Sequence, residues 1–194
     1  MYVIIEGIDT AGKSTQLSIL EEKYPNAIFT KEPGGTEIGK KLREMVLSGE
    51  AKSKLAEMFL FLADRAEHSH EVIEQNKEKT IISDRGFLSG IAYAKTIPLE
   101  TTIELNLLAL QNALPEKIII LQLTKEELEY RLSQKEQDSI EKRGSGYLLD
   151  IQSRMIESIE IINEKLEKKI EVLVIDASNP IEDIATNIEN FLKN

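Results

Sequence analysis

Residues 7–14 read Gly7-Ile8-Asp9-Thr10-Ala11-Gly12-Lys13-Ser14, and this G-x-x-x-x-G-K-S spacing is suited to holding a polyphosphate. Glycines free the backbone to wrap an anion with its N–H groups. Lys13 is long enough to reach β/γ-phosphates, and the Ser14 hydroxyl is placed to ligate Mg²⁺. An apolar run, Tyr2-Val3-Ile4-Ile5, precedes the loop, and Thr15-Gln16-Leu17-Ser18-Ile19-Leu20 continues it with helical character. A helix starting near Lys13 aims its positive end at the same anion. A Gly-rich turn with a solvated lysine accounts for the glycines but not for this strand–loop–helix context.

Further along, Thr80-Ile81-Ile82-Ser83 ends in Asp84-Arg85. Open α/β sheets bind ligands at the carboxyl ends of their strands. Asp84 there suits Mg²⁺, and Arg85 offers a planar fork to a second phosphate. The structural alternative makes Asp84 a helix cap and Arg85 a surface residue. Phe61 and Arg65 lie four residues apart on one helix, a ring and a guanidinium suited to a flat base; core packing for Phe61 and an acidic partner such as Glu57 for Arg65 compete with that reading. In Lys31-Glu32-Pro33-Gly34-Gly35-Thr36 the glycines permit close approach of a ligand, and Thr36 suits a helix N-cap.

Five strands must position these groups: Tyr2–Glu6, Ala27–Thr30, Thr80–Ser83, Lys117–Leu123 and Glu171–Ile175. Most are continuous apolar runs, as expected of parallel strands buried on both faces. Alternation with helices predicts an α/β fold, a five-stranded parallel sheet with helices on both faces. Leu55, Met58, Phe59, Leu62 and Ala66 keep a helical period and predict one helix from Ser53 to Asn76 with that stripe in the core. Met155, Ile159, Ile162 and Leu166 predict a second long helix. Pro180 opens a last one carrying Ile181, Ile184, Ile188 and Phe191. Residues 134–145 lose the apolar rhythm, which suits either a lid or a surface loop. His68 and His70 fall in a polar stretch and read as surface residues.

Composition narrows the class. The 194 residues, 41% hydrophobic and 30% charged, fit one domain of ordinary size, residues 1–194, and exclude disorder. No run approaches the ~18 apolar residues of a membrane span. No basic stretch precedes the first strand, so no secretory signal is expected. The chain has no cysteine, which excludes disulfides and thiolate zinc sites and makes a cytoplasmic setting the default. A net charge of −10 opposes nucleic-acid binding. A phosphate site must therefore recruit its cations from few arginines: Arg43, Arg65, Arg85, Arg131, Arg143 and Arg154.

Taken together, the phosphate loop, Glu32-Pro33-Gly34-Gly35-Thr36, Phe61 with Arg65, Asp84-Arg85 followed by Ser89 and Tyr93, and Ile175-Asp176-Ala177 resemble bacterial thymidylate kinase, a P-loop nucleoside monophosphate kinase family. The likeness covers essentially the whole chain. It implies Mg²⁺-dependent transfer of the ATP γ-phosphoryl to dTMP, giving dTDP and ADP, in dTTP biosynthesis. By resemblance, Gly7, Ile8, Asp9, Thr10, Ala11, Gly12, Lys13, Ser14 and Thr15 bind ATP, with Ser14 and Asp84 at the metal. Asp9, Pro33, Phe61, Arg65, Arg85, Ser89 and Tyr93 bind dTMP. In that scheme Phe61 stacks on thymine, Arg65 bonds its carbonyl edge, Arg85 takes the acceptor phosphate and Tyr93 disfavours a ribose hydroxyl. A homodimer is implied as well.

Two departures from the family stand out. Gly90 follows the serine where some relatives carry Asn, so one base contact is missing. In Asp138-Ser139-Ile140-Glu141, Ser139 replaces the usual lid arginine, and Thr10 supplies no cation in its place. Arg131, Lys135, Lys142 and Arg143 remain as candidates, with Arg131 favoured alongside Lys13, Asp9 and Arg85 in catalysis. Other classes stay open at this point: a kinase for a different acceptor, an inactive nucleotide-binding scaffold, or a GTPase-type switch. The last reading is poor, because Asn76-Lys77-Glu78-Lys79 lacks the Asp of the guanine motif and precedes its strand.

Overall fold

The apolar run that opens the chain becomes the central strand of a parallel sheet. The computed structural model describes residues 1–111, 113–134, 136 and 141–194. Its strands are β1 (Tyr2–Gly7), β2 (Ile28–Lys31), β3 (Ile81–Asp84), β4 (Lys117–Gln122) and β5 (Glu171–Asp176). They are hydrogen-bonded in the order β2-β3-β1-β4-β5, each neighbour parallel. Each expected strand is present, with ends moved by a residue or two. All of β1 and residues Lys117–Leu121 of β4 are buried. Successive side chains of a strand point to opposite faces, so helices must cover the sheet on both sides.

Those helices are α1 (Lys13–Lys23), α2 (Glu37–Leu47), α3 (Lys54–His68), α4 (Phe87–Tyr93), α5 (Leu99–Leu110), α6 (Lys125–Ser133), α7 (Ser145–Lys165) and α8 (Ile181–Lys193). α1 packs with α8, while α3, α4, α5 and α7 pack against one another. Thr36 and Ser53 cap α2 and α3, accepting from the backbone N–H groups of Gly39 and Ala56, as N-cap hydroxyls do. In α7, Met155, Ile159 and Ile162 are buried, and in α8 so are Ile184 and Ile188. Both elements follow their apolar period, although Ile181 is exposed.

α3 departs from expectation in three ways. The helix is α-helical only to His68; a wide π turn (Ser69–Ile73) and a tight 3₁₀ turn (Glu74–Asn76) complete the stretch to Asn76. π turns inside helices are often found at functional sites. The apolar stripe is not the inward face either. Met58 is buried, but Leu55 and Phe59 are 49% and 51% exposed, and the buried face carries Asp64, Arg65 and His68. His68 is fully buried rather than a surface residue. Polar side chains occupy an interior face only where they are hydrogen-bonded, and these are. Of the expected 134–145 segment, Lys135, Gln137, Asp138, Ser139 and Ile140 lie outside the described residues.

The glycine pair after β2 serves packing as much as access. A Cβ on Gly35 would stand 2.6 Å from His68 Cδ2, 2.7 Å from Thr30 Oγ1 and 2.8 Å from the Lys31 carbonyl oxygen. The carbonyl cannot yield as a side chain would. Gly35→Ala is therefore expected to destabilise the fold by about 1–3 kcal/mol, lowering the thermal midpoint by about 2–4 °C per kcal/mol at this chain length. Calorimetry giving an unchanged midpoint would refute that contact.

Candidate active site

The loop between β1 and α1 needs its glycines. Gly7 (φ +150°) and Gly12 (φ +92°) occupy backbone regions that side chains rarely adopt, and a Cβ on Gly7 would stand 2.8 Å from the Leu121 carbonyl oxygen. Ile8 and Ala11 anchor the loop in the core, while Ser14 and Thr15 are exposed on the first turn of α1. Lys13 is buried and folds back, its Nζ donating to the carbonyls of Gly7 (2.9 Å) and Ile8 (3.0 Å). Burial, and then the charge of Arg85, pulls its pKa down to about 8. The lysine thus waits at the loop with its charge held at a cost that an anion would remove.

A buried acid ties this loop to the end of β3. Glu6, fully buried in β1, accepts from the N–H groups of Gly86 (3.0 Å) and Ser89 (3.1 Å) and from the Ser89 hydroxyl (2.6 Å). Burial raises its pKa. Arg85, at φ +64°, donates through Nη1 to the Gly7 carbonyl (2.9 Å) and Ser89 Oγ (3.1 Å), and through Nη2 it pairs with Asp9. Asp9, Arg85 and Ser89, chosen from separate stretches of sequence, therefore converge on the loop. Glu6 was missed: it looked like the polar end of a strand, and its signal was an acid inside an otherwise apolar central run. Tyr93 is half-buried near Arg85; burial raises its pKa, and its hydroxyl has no partner among the described residues.

On the other side of β3, Arg65 is 2% exposed and held by two elements. Its Nη2 lies 2.8 Å from Glu32 Oε2, and its Nη1 donates to Asn106 on α5. Arg65 does take an acidic partner, but it is Glu32 and not Glu57. The other Glu32 oxygen is 2.9 Å from His68 Nδ1, and His68 Nε2 is 2.8 Å from Thr30 Oγ1. Burial alone would raise the Glu32 carboxyl, but Arg65 and His68 together hold it below its ordinary value. Phe61 is half-buried one turn before Arg65. Pro33 follows a cis peptide, and its carbonyl accepts from Arg43 Nη1 at 2.9 Å. Asp64 accepts from the Gly34 N–H (2.9 Å), and burial pushes its pKa up to about 6. An open cavity of about 380 Å³, lined in part by Leu17, Thr30, Gly34, Gly35 and Asp84, lies between α1 and this loop.

Arg131 reaches the loop from α6. It donates to the carbonyls of Thr10 (3.0 Å) and Ala177 (2.6 Å), with Nε on Glu127 (2.6 Å). Of the other candidate cations, Arg143 stacks on the Tyr147 ring and bonds its hydroxyl, Lys142 is exposed, and Lys135 lies outside the described residues. Asp84 Oδ1 is sealed from solvent without a partner among the described residues, and the Asp84 charge acts on Lys13. Among those residues no three acidic, His or Cys side chains cluster as a metal cage.

Known proteins share this whole architecture. The family model described as thymidylate kinase matches residues 5–188. The chain is 62% identical to thymidylate kinase of Aliarcobacter butzleri over 99% of this chain and 98% of that one. It is 50% identical to thymidylate kinase of Campylobacter jejuni over the full length of both. A crystal structure of thymidylate kinase from Ehrlichia chaffeensis shares the fold, with a TM-score of 0.70 and 24% identity over 100% of this chain and 98% of that one. The chain belongs to the thymidylate kinase family.

Proposed function

We propose that this protein transfers the γ-phosphoryl of ATP to dTMP, with the donor polyphosphate in the loop Gly7–Ser14 and the acceptor phosphate on Arg85. The observation that carries the reading is the Arg85 fork, which touches the loop at Gly7 and Asp9 and the acceptor side at Ser89. An anion that displaces one of those contacts meets the donor loop at once. Lys13 exchanges its two carbonyl partners for phosphate oxygens. Phe61 stacks on thymine, Pro33 lines the same pocket, and Arg65 offers donors to the carbonyl edge of the base. Tyr93, beside Arg85, sits against the sugar.

Arg131 supplies the cation for the transferring phosphoryl in this reading, supported by its bond to the Thr10 carbonyl. A single arginine in that role is worth ~10³-fold or more in rate. Ser14 and Asp84 hold Mg²⁺, which neutralises charge on the polyphosphate oxygens when bound. The enzyme works in the cytoplasm, where its nucleotides are, and residues 1–194 form one nucleoside monophosphate kinase domain. No described helix is long and apolar enough to cross a membrane. Two copies pair through α2, α3 and α5, whose Ile38, Met45, Leu47, Leu55, Phe59 and Leu108 are exposed; a patch of that kind normally marks an interface.

With Mg-ATP and a panel of dTMP, dUMP, dCMP, GMP and thymidine, ADP release is expected to be fastest with dTMP. Phe61→Ala should raise the KM for dTMP at least tenfold while moving that for ATP less than twofold; equal effects on both would reduce Phe61 to a packing residue. Lys13 gives a pH signature. Free, it loses its proton near 8; bound polyphosphate raises that pKa, so above pH 8 binding must take up a proton. ATP affinity should therefore stay flat on this account up to about pH 7.5 and fall by up to about tenfold per unit above 8. Calorimetry showing constant affinity to pH 9.5 would remove Lys13 from the phosphate site. Light scattering should give twice the 21.9 kDa chain mass, and Phe59→Glu should halve it. A parent protein that runs as a monomer contradicts the pairing.

A further inference from the structure

The guanidinium of Arg65 is clamped from two directions by elements that share no sequence motif. Glu32 Oε2, after β2, lies 2.8 Å from Nη2 as an ion pair, and Asn106, on α5, accepts a hydrogen bond from Nη1. Asn106 is itself fixed, 1% exposed, with its Nδ2 donating to the Thr102 carbonyl at 2.6 Å. That bond assigns the amide: nitrogen faces the helix backbone, and oxygen faces Arg65. The third wall is Gly90. A Cβ there would stand 2.9 Å from Arg65 Nη1, 3.1 Å from Nη2 and 3.2 Å from Asn106 Oδ1. Gly90 thus leaves room for the guanidinium, and the α5 amide comes to the edge of that room from a different helix.

We infer that Asn106 is a specificity-determining positioning residue: by fixing Arg65 against Glu32 it aims the donor-only edge of the guanidinium at the pyrimidine, so that the site takes a carbonyl and rejects an amino group. This rests on the dTMP reading above and deepens it. Arginine carries five N–H donors and no acceptor. Asn106 accepts a hydrogen bond from one terminal nitrogen, Glu32 faces the other as an ion pair, and Nε has no hydrogen-bond partner among the described residues. With Glu32 alone, the guanidinium would be free to turn about its one ion pair, and its fork would no longer be aimed. The second anchor removes that freedom before substrate arrives, which is where preorganisation improves affinity. A thymine carbonyl accepts from such a donor edge, whereas the cytosine amino group meets N–H against N–H, an arrangement that leaves buried donors unpaired.

The test uses the full-length protein with Mg-ATP and either dTMP or dCMP. Asn106→Leu, close to isosteric but without the acceptor, should raise the KM for dTMP about tenfold, leave the KM for ATP within twofold and kcat within threefold, and narrow the dTMP-to-dCMP ratio of kcat/KM. Asn106→Ala, which introduces no bulk, repeats the measurement if the leucine variant does not fold. In an Arg65→Met background the same Asn106 substitution should change the KM for dTMP by less than twofold, because Asn106 acts through Arg65. A structural role predicts otherwise: both KM values or kcat would move together, and the two substitutions would add. Either result overturns the inference, as does an unchanged KM for dTMP in the single variant. A parent that does not turn over dTMP overturns the functional reading itself, and this proposal with it.

Discussion

Burying a carboxylate in the middle of an apolar strand is unfavourable unless its lone pairs are occupied. Glu6 meets that condition with three donors, all from the segment that starts α4. The requirement therefore sets the geometry of the site. β1 carries the phosphate loop at its end, β3 carries Asp84 and Arg85 at its own, and Glu6 joins the two ends by bonds that have no solvent alternative. Arg85, in a left-handed conformation, then has its fork directed back at the Gly7 carbonyl. If the α4 N-terminus moved away, Glu6 would be left charged and unsatisfied, so donor and acceptor sides cannot drift apart cheaply. The raised Glu6 pKa reflects the same tension, burial against hydrogen bonding.

The second buried cluster answers a different need. Thr30, His68, Glu32, Arg65 and Asn106 form a chain of paired polar groups from β2 through α3 to α5. Buried ion pairs are weak contributors to stability, since desolvation offsets most of the attraction. An apolar cluster of similar volume would hold α3 to the sheet equally well. What the polar version supplies is direction: a guanidinium whose orientation is set by fixed acceptors. This also explains why α3 turns its apolar stripe outward. Its inward face is taken by Asp64, Arg65 and His68, and Leu55 and Phe59 are displaced to the surface.

The parts of this molecule that were legible in the sequence are those governed by local rules. Continuous apolar runs placed the inner strands, because β1 and most of β4 are buried on both faces and have few polar positions to spare, whereas the edge strands β2 and β5 are only partly buried. The phosphate loop and the Asp84-Arg85 pair were legible because both lie at strand ends, where the chain direction alone determines what converges. α3 was misread because periodicity measures hydrophobicity and assumes the inside is apolar. His68 looked like a surface residue for the same reason: its partners, Glu32 and Thr30, lie more than thirty positions away and carry no mark in the local pattern. Asn106 was invisible on similar grounds, and Glu6, though it interrupts an apolar run, gave no sign of its partners. Each is a polar residue in an ordinary element, and only the tertiary contact reveals what it holds.

The buried polar groups also bear on the chemistry. A general base must be within reach of the proton it abstracts and free to accept it. His68 is sealed, with both ring nitrogens engaged; His70 is exposed on the π turn, facing Glu74. Glu6 is engaged by Gly86 and Ser89, Glu32 by His68 and the Arg65 charge, and Asp9 by Arg85. The acceptor in this reaction, a phosphate monoester with a second pKa of about 6, is already largely ionised near neutral pH. It needs no base. What the transfer requires is that two highly charged groups approach, and Lys13, Arg85 and Arg131 stand around one loop despite a net charge of −10. The acidic surface elsewhere is compatible with this because exposed charges beyond about 10 Å are largely screened, whereas these three cations lie partly or wholly out of water and are screened less.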